Sequence, residues 1–282
     1  MKYKLKPKQT SYEYGFDYQQ KQVEKFRNRN RNHWKFEIDK IQQLFERYVL
    51  PRFHKVPEEI KIVDVGCSIG THAIEFAKKG YRTYGIDFDP SAITIAKELS
   101  QEEGVAPEFF IMDISDWDKM LPEIDTAVCS NIFEHLHDDE LGALLVEIRR
   151  RLSTEGCLIF LTKPTQYNYI FYGKRRFRVP LYPFKFLSEK KFEKIVKIHH
   201  NFLDILLLLR RGVTRKEMAK TLGHCNLLTR ERLEDILLRA GFNIEFMETA
   251  ELHPIIPEYK NRFLKYSIAR PYIYGVVSAN RK

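Results

Sequence analysis

The chain is predicted to fold as an α/β protein with a doubly wound sheet, and three observations carry that expectation. Residues Lys61 to Gly80, KIVDVGCSIGTHAIEFAKKG, join a β-branched run to a glycine turn and then to a helix with apolar periodicity. The run Tyr81 to Asp89, YRTYGIDFD, reads as a second strand ending in Asp87, where doubly wound folds place an acid that binds ribose hydroxyls. Two more strand-like runs, Glu108 to Met112 and Asp125 to Cys129, also end on polar residues, Asp113 in the first and Ser130-Asn131 in the second.

Taken in order, an arm rich in lysine and tyrosine (Tyr3, Tyr12, Tyr14, Phe16, Tyr18) precedes a helix-like stretch from about Asp17 to Tyr48. Ile60, Ile62, Val63 and Val65 form the first strand, Gly66 and Gly70 bracket the turn, and Ala73, Ile74, Phe76 and Ala77 give the apolar side of the following helix. Glycines let the backbone approach a ligand closely, and the first N–H groups of a helix face it. Pro90 to Glu103 has helix length, and the fifth strand runs to Thr162. An addition starts at Lys163-Pro164 and alternates aromatic and basic residues through Tyr167 to Leu187. It continues as a basic helix, Ser188 to Arg211, with Phe192, Ile195, Val196, Phe202, Leu203 and Leu206 at helical spacings. Such a helix could lie on an anionic membrane surface, or pack its apolar face on the domain with its lysines solvated. Arg230 to Arg239 is helical, Asn243 to Met247 a sixth strand, 250–270 a loop with a short helix, and Tyr272 to Ala279 the seventh strand. The expected organisation is an arm and helix over 1–50 and a domain over 51–282 carrying an insertion at 163–226.

Ligands in open α/β sheets bind at the carboxyl ends of the strands. Any one polar residue there could be a turn or cap residue, but four strand ends in register favour a site. Asp64 lies two residues before Gly66. A carboxylate at that place repels a pyrophosphate and suits a ligand carrying an ammonium and a sulfonium, which points to S-adenosylmethionine.

The segments DVGCSIG (Asp64 to Gly70), GIDFDP (Gly85 to Pro90), MDISDW (Met112 to Trp117), DTAVCSNIFEHL (Asp125 to Leu136), LSTEGCLIFLT (Leu152 to Thr162) and HCNLLTRERLEDILLRAGF (His224 to Phe242) together resemble the class I S-adenosylmethionine-dependent methyltransferases, in particular the UbiE/UbiG-like type 11 group. The resemblance implies a Rossmann-like sheet of seven strands with the last antiparallel. It implies that Asp64, Gly66, Ser68 and Gly70, with Cys67 in the same turn, surround the methionine part. Asp87 would hold the ribose hydroxyls, Asp113 and Ile114 would flank the adenine, and Ser130 and Asn131 would line the cofactor. Phe88 would cover the adenine or pack into the core. Ser68 departs from the usual middle glycine, and a serine is small enough for the turn.

Methyl transfer from a sulfonium is an in-line displacement that needs alignment and exclusion of water more than side-chain chemistry. His135, just past the fourth strand, is the candidate base for a hydroxyl acceptor; it could instead orient the cofactor or cap the next helix, and Glu134 and His137 are weaker candidates. Cys129 lacks a preceding proline, and SNIF stands where an adenine-amine motif would read Asn-Pro-Pro-Tyr, so nucleobase methylation is disfavoured. The His199-His200 and His224-Cys225 pairs have no partners at metal-ligand spacing, so no metal is expected. Thr214 to Gly223 has a helix-turn-helix flavour that the register of the following helix explains better.

Of 282 residues, 44% are hydrophobic, enough for a sizeable core. Cys67, Cys129, Cys157 and Cys225 form no CxxC pair and read as reduced thiols. The absence of a signal-peptide pattern or a bilayer-length apolar run predicts a cytoplasmic protein, with any membrane contact peripheral through 188–211. Residues 1–35 carry 10 Lys/Arg and 3 Asp/Glu, and 163–226 carry 15 and 4. Those excesses of +7 and +11 leave −9 for the remainder of a chain whose net charge is +9. An acidic core with two basic additions admits three functions. The leading one is methylation of a small-molecule acceptor, an oxygen of a lipid-linked, sugar or isoprenoid-like substrate. The others are methylation of RNA or protein held by the basic additions, and non-catalytic cofactor binding.

Overall fold

The computed structural model describes residues 16–31, 33–112, 123–163, 165–172, 175–213, 225–250, 263 and 265–280. Asp113, Ile114, the segment Thr214 to His224 and Tyr3, Tyr12 and Tyr14 of the arm lie outside them. Seven strands, β1 (Lys61–Val65), β2 (Arg82–Asp87), β3 (Glu108–Ile111), β4 (Ile124–Ser130), β5 (Leu152–Thr162), β6 (Phe242–Ala250) and β7 (Tyr272–Ala279), form one sheet in the order β3-β2-β1-β4-β5-β7-β6. The first five are parallel, and β7 runs antiparallel to both β5 and β6. The order reverses between β1 and β4, so their carboxyl ends open the crevice where such sheets take ligands.

Successive strand residues serve opposite faces. Val63, Ala127, Cys129, Leu158, Phe160 and Val277 pack under α5 (Asp138–Arg151) and the helix Arg230–Arg239, whose Leu141, Leu144, Ile148, Leu233 and Leu237 complete that core. Ile62, Val128, Ile159, Leu161 and Val276 face the other way, onto Ile41 and Leu44 of α2 (His33–Leu44) and Phe45 and Val49 beyond it. On that side α3 (Thr71–Ala77) and α4 (Pro90–Glu102) pack around Ile74, Ala96 and Phe109.

The stretch predicted as one helix over 17–48 is broken. Helix α1 (Phe16–Arg27) gives way to a 3-10 turn at Arg29–Arg31 before α2, and a π turn follows at Phe45–Val49. The break falls in the sequence NRNRN, where asparagine is a poor helix former. It also turns Arg29 inward. The buried guanidinium bonds Glu75 and Glu103, each at 2.8 Å, and stacks 4.1 Å from the centre of the Phe26 ring. Burial would raise the Glu103 carboxyl, but Lys78, 2.7 Å away, and Arg29 together hold it below its ordinary range.

The addition after β5 has its own small core. α6 (Asn168–Tyr172), α7 (Arg175–Arg178) and α8 (Glu189–Arg211) enclose Ile170, Phe171, Leu181, Phe192 and Val196 with Phe263 and Tyr266. Phe192 and Tyr266 stack at 3.9 Å between ring centres. Because this unit joins the carboxyl end of β5 to the amino end of β7, it stands over the crevice edge of the sheet. The remaining helix, α9 (Arg230–Arg239), is capped by Thr229, whose hydroxyl accepts from Arg232 N.

Removing the buried Arg29 side chain leaves Glu75 and Glu103 only the half-exposed Lys78 as a cation, at 3.9 and 2.7 Å. Arg29→Ala is expected to lower stability by about 3 kcal/mol in equilibrium urea unfolding, by the usual cost of breaking a buried ion pair.

Candidate active site

The turn after β1 is built by three residues in the left-handed region, Gly66 (φ 67°), Ser68 (φ 48°) and Gly70 (φ 79°). Gly66 N and Cys67 N donate to Ile86 O at 2.9 and 3.0 Å, and Gly70 N to Cys67 O at 2.8 Å. A Cβ at Gly66 would meet Ile132 Cδ1 at 2.6 Å and force that side chain to shift, on top of the strain of its left-handed backbone. Ser68 carries a side chain in a conformation that costs roughly 1 kcal/mol for any residue but glycine. Its compensation is a bond from Ser68 N to Asp87 Oδ2 at 2.8 Å. Asp87 Oδ1 also accepts from Asp89 N at 3.0 Å, which fixes the carboxyl at the end of β2. Desolvation raises the Asp87 pKa, and these two N–H groups oppose the shift.

Asp64 lies beneath the turn, buried, with Oδ2 accepting from Ala73 N at 3.2 Å in the first turn of α3. Burial pushes its pKa up to about 7, against the pull of the backbone N–H groups, and the nearby Asp87 adds to the rise. Cys67 and Cys129, both buried thiols, are pushed up as well. Phe88 is 59% exposed beside the end of β2, so the core alternative for this aromatic does not hold and its face is open.

At the end of β4, Ser130 Oγ and Asn131 Oδ1 are buried and have no hydrogen-bond partner among the described residues. Asn131 is the second non-glycine residue in the left-handed region, at φ 55°. Strain and orphaned polar atoms on two strand ends are what a ligand site leaves when its ligand is not counted. The amino edge of the same strand differs: Asp125 there is satisfied by Lys55 Nζ (2.7 Å), Lys61 N (3.0 Å) and Ser153 Oγ (2.9 Å). S-adenosylmethionine fits these donors and acceptors. Its ammonium would neutralise Asp64, its ribose hydroxyls would use the remaining lone pairs of Asp87, and its polar edges would meet Ser130 and Asn131.

A buried polar junction next to this edge was not evident from the sequence. Glu37 of α2 accepts from Asn131 Nδ2 (2.9 Å) and from Lys163, and Tyr272 OH donates to it at 3.2 Å. His72 is buried nearby and its pKa is lowered to about 4 by desolvation, against the attraction of Glu37. Glu134 Oε2 accepts from Thr162 Oγ1 at 2.8 Å, and burial lifts its pKa to about 8. Lys163 could be seen at the end of β5, but Glu37 lies 94 residues before Asn131, on a helix whose period marks it only as a polar residue. His135 closes a 3-10 turn, Phe133–His135, directly after β4 and is half-buried. His137 begins α5, its N–H bound to Glu140 Oε2 at 2.7 Å, so its position is that of a helix cap. In the addition, His199 donates to Phe177 O, and His200 bonds Tyr169 OH at 2.7 Å and Gln166 at 3.1 Å. No group of three or more potential metal ligands occurs among the described residues.

Two substitutions test this arrangement. Ser68→Gly relieves the left-handed strain and is expected to stabilise the protein by about 1 kcal/mol in urea unfolding, with cofactor binding retained. Glu37→Gln leaves Lys163 without its anion and is expected to cost about 3 kcal/mol in the same measurement.

A family described as methyltransferase domain matches residues 62–156, from β1 into β5. Among curated proteins the chain is 31% identical over 81 residues to a ubiquinone biosynthesis O-methyltransferase of Chromobacterium violaceum, covering 28% of this chain and 35% of that protein. It is 25% identical over 114 residues to the magnesium-protoporphyrin O-methyltransferase of Rhodobacter capsulatus, covering 39% and 49%. The chain thus spans less than half the length of these relatives. Among solved structures, an S-adenosylmethionine-dependent methyltransferase of Clostridium acetobutylicum superposes with a TM-score of 0.56 at 12% identity, over 94% of this chain and 99% of that one. A magnesium protoporphyrin IX methyltransferase of Synechocystis with bound S-adenosylhomocysteine superposes with a TM-score of 0.50 at 15% identity, over 86% and 82%. At these identities the likeness to solved structures shows the fold. Residues 62–156 thus match a methyltransferase-domain family, and the sheet that carries them has the fold of S-adenosylmethionine-dependent methyltransferases.

Proposed function

We propose that the protein transfers a methyl group from S-adenosylmethionine to an oxygen of a small-molecule acceptor, of lipid-linked, sugar or isoprenoid-like character. The observation that carries the reading is the crevice edge itself, where a strained glycine turn, the buried carboxyls of Asp64 and Asp87 and the unpartnered Ser130 Oγ and Asn131 Oδ1 stand at neighbouring strand ends. The names of the two O-methyltransferase relatives favour oxygen as the acceptor atom.

In this reading Asp64 faces the ammonium and sulfonium, Asp87 takes the ribose hydroxyls, and Gly66, Cys67, Ser68 and Gly70 shape the wall around the methionine part. The resemblance assigns Asp113 and Ile114, which lie outside the described residues, to the adenine, and the open face of Phe88 would cover it. The bound cofactor supplies an electrophilic methyl. His135, at the mouth of the crevice, takes the acceptor's hydroxyl proton as the new carbon–oxygen bond forms. The addition over the carboxyl edge excludes water from the acceptor side.

The affinity for the cofactor should depend on pH with a definite sign. Asp64 is protonated below its raised pKa of about 7 and must ionise to hold a cation. Binding therefore weakens as pH falls from about 8 to about 6, by up to about tenfold per unit below the pKa, and releases a proton. Calorimetry in buffers of different ionisation enthalpy measures both, and Asp64→Asn should bind weakly with a flattened profile. The acceptor class is tested by following methyl-labelled S-adenosylmethionine into the lipid, small-molecule, RNA and protein fractions of a cell extract. Label in the first two is the expected result. Label in RNA or protein would overturn the acceptor class, and cofactor binding with no transfer would overturn catalysis.

A further inference from the structure

We propose that α8 is an interfacial docking helix that seats the protein on an anionic membrane surface and so presents the crevice to an acceptor held in the lipid. The acceptor clause rests on the function proposed above; the docking clause does not.

The two faces of α8 have different fates. Phe192, Val196 and His200, four residues apart, are buried against the small core of the addition. Ile198, Phe202, Ile205 and Leu209 follow the spacing 4, 3, 4 and form a second stripe, about 150° around the helix from the first. These four are 66%, 55%, 56% and 77% exposed. Leu206 and Leu208 broaden the apolar surface, and Phe186, on the segment leading into the helix, is 82% exposed. An apolar stripe of this kind on a soluble chain marks a surface that something covers.

Charge decides what covers it. Residues 175–211 hold ten Lys/Arg and three Asp/Glu, a net +7. Lys190, Lys191 and Lys194 precede the stripe, Arg210 and Arg211 end it, and Lys185 and Arg175, Arg176 and Arg178 lie just before α8. A second copy of the chain would fit badly. Antiparallel pairing sets the lysine end of one helix against the arginine end of the other, and parallel pairing sets like against like. A surface that is both apolar and negative satisfies both features of the helix, and a bilayer with anionic headgroups is such a surface. Exposed aliphatics and Phe202 would enter the acyl boundary while the flanking cations meet headgroups. No helix among the described residues is long and apolar enough to cross a membrane. The placement has a purpose, because the core that holds α8 is built from the segments that leave the carboxyl end of β5 and enter β7, at the edge where Asp64, Asp87 and Asn131 lie.

The test is flotation of the full-length protein with vesicles of phosphatidylcholine alone and of phosphatidylcholine mixed with phosphatidylglycerol. The protein is expected to float with the mixed vesicles, less so as salt is raised, and to stay behind with the neutral ones. Two exposed double variants, Phe202→Glu with Leu209→Glu and Lys191→Glu with Lys194→Glu, should each weaken that association about tenfold or more. Both should bind S-adenosylmethionine as the unaltered protein does, by equilibrium dialysis, which shows that they fold. Failure of the unaltered protein to float with anionic vesicles would overturn the proposal. So would undiminished flotation of the variants, or a dimer in analytical ultracentrifugation that Phe202→Glu with Leu209→Glu dissolves. Flotation needs no methyl transfer, so a failed docking helix and a failed enzyme give different results.

Discussion

Glu37 is the point through which the N-terminal helices and the catalytic edge are made into one object. Its carboxylate takes Asn131 from the end of β4, Lys163 from the end of β5 and Tyr272 from the start of β7. Three strand ends that the sheet ladder alone would leave free to splay are thereby referred to one buried group. The bond to Asn131 matters most, because it holds a left-handed asparagine backbone beside the cofactor turn while leaving Oδ1 of the same side chain unpartnered. The strain has an external support and the acceptor atom is left for a ligand. Burial together with the anion of Glu37 raises the Tyr272 pKa, so the phenol stays a donor and the junction stays closed.

The edge is rich in buried carboxyls. Asp64, Asp87 and Glu134 all have raised pKa values, with desolvation the largest cause in each. A carboxyl whose pKa is higher in the fold than in the open chain favours the fold when protonated. Its contribution is lost as pH rises from the ordinary carboxylate range through the folded value, here about 7 for Asp64 and about 8 for Glu134. His72 works in the other direction, because a histidine held neutral destabilises the fold as pH falls from 6.5 through about 4. At neutral pH the unliganded site is therefore under electrostatic load on its acidic side. A cofactor bearing positive charge relieves it, which makes affinity and site strain two aspects of one arrangement.

Much of this architecture could be read in the sequence because it is local. The strand-turn-helix at Lys61 to Ala77, Asp87 at the end of β2 and polar ends on β4 are set by runs of a few residues whose period and turn chemistry point the same way. The break in the first helix falls in the local run NRNRN, but the inward turn of Arg29 was hidden, since it depends on Glu75 and Glu103, both distant in sequence. Glu37 was hidden for the same reason. Phe88 was open between two environments, and only the path of the chain after β2 could expose it. Ser68 was recognised as a departure from glycine, but its φ of 48° shows the substitution keeps the glycine-like backbone rather than avoiding it.

The uneven charge of the chain has a structural counterpart. The acidic part of the sequence includes the sheet, whose carboxyl edge carries Asp64 and Asp87, the residues proposed to face a cationic ligand. The basic excess of the addition sits on a unit with its own aromatic core, Phe171, Phe192, Phe263 and Tyr266. That core is what allows α8 to be held by one face only. A helix that depended on the sheet for burial would have to turn its most apolar stripe inward, whereas Phe192, Val196 and His200 anchor this one and leave Ile198, Phe202, Ile205 and Leu209 outward. Segregating the charges in this way lets a cation-binding crevice and an anion-seeking surface coexist at one edge of a single sheet without neutralising each other.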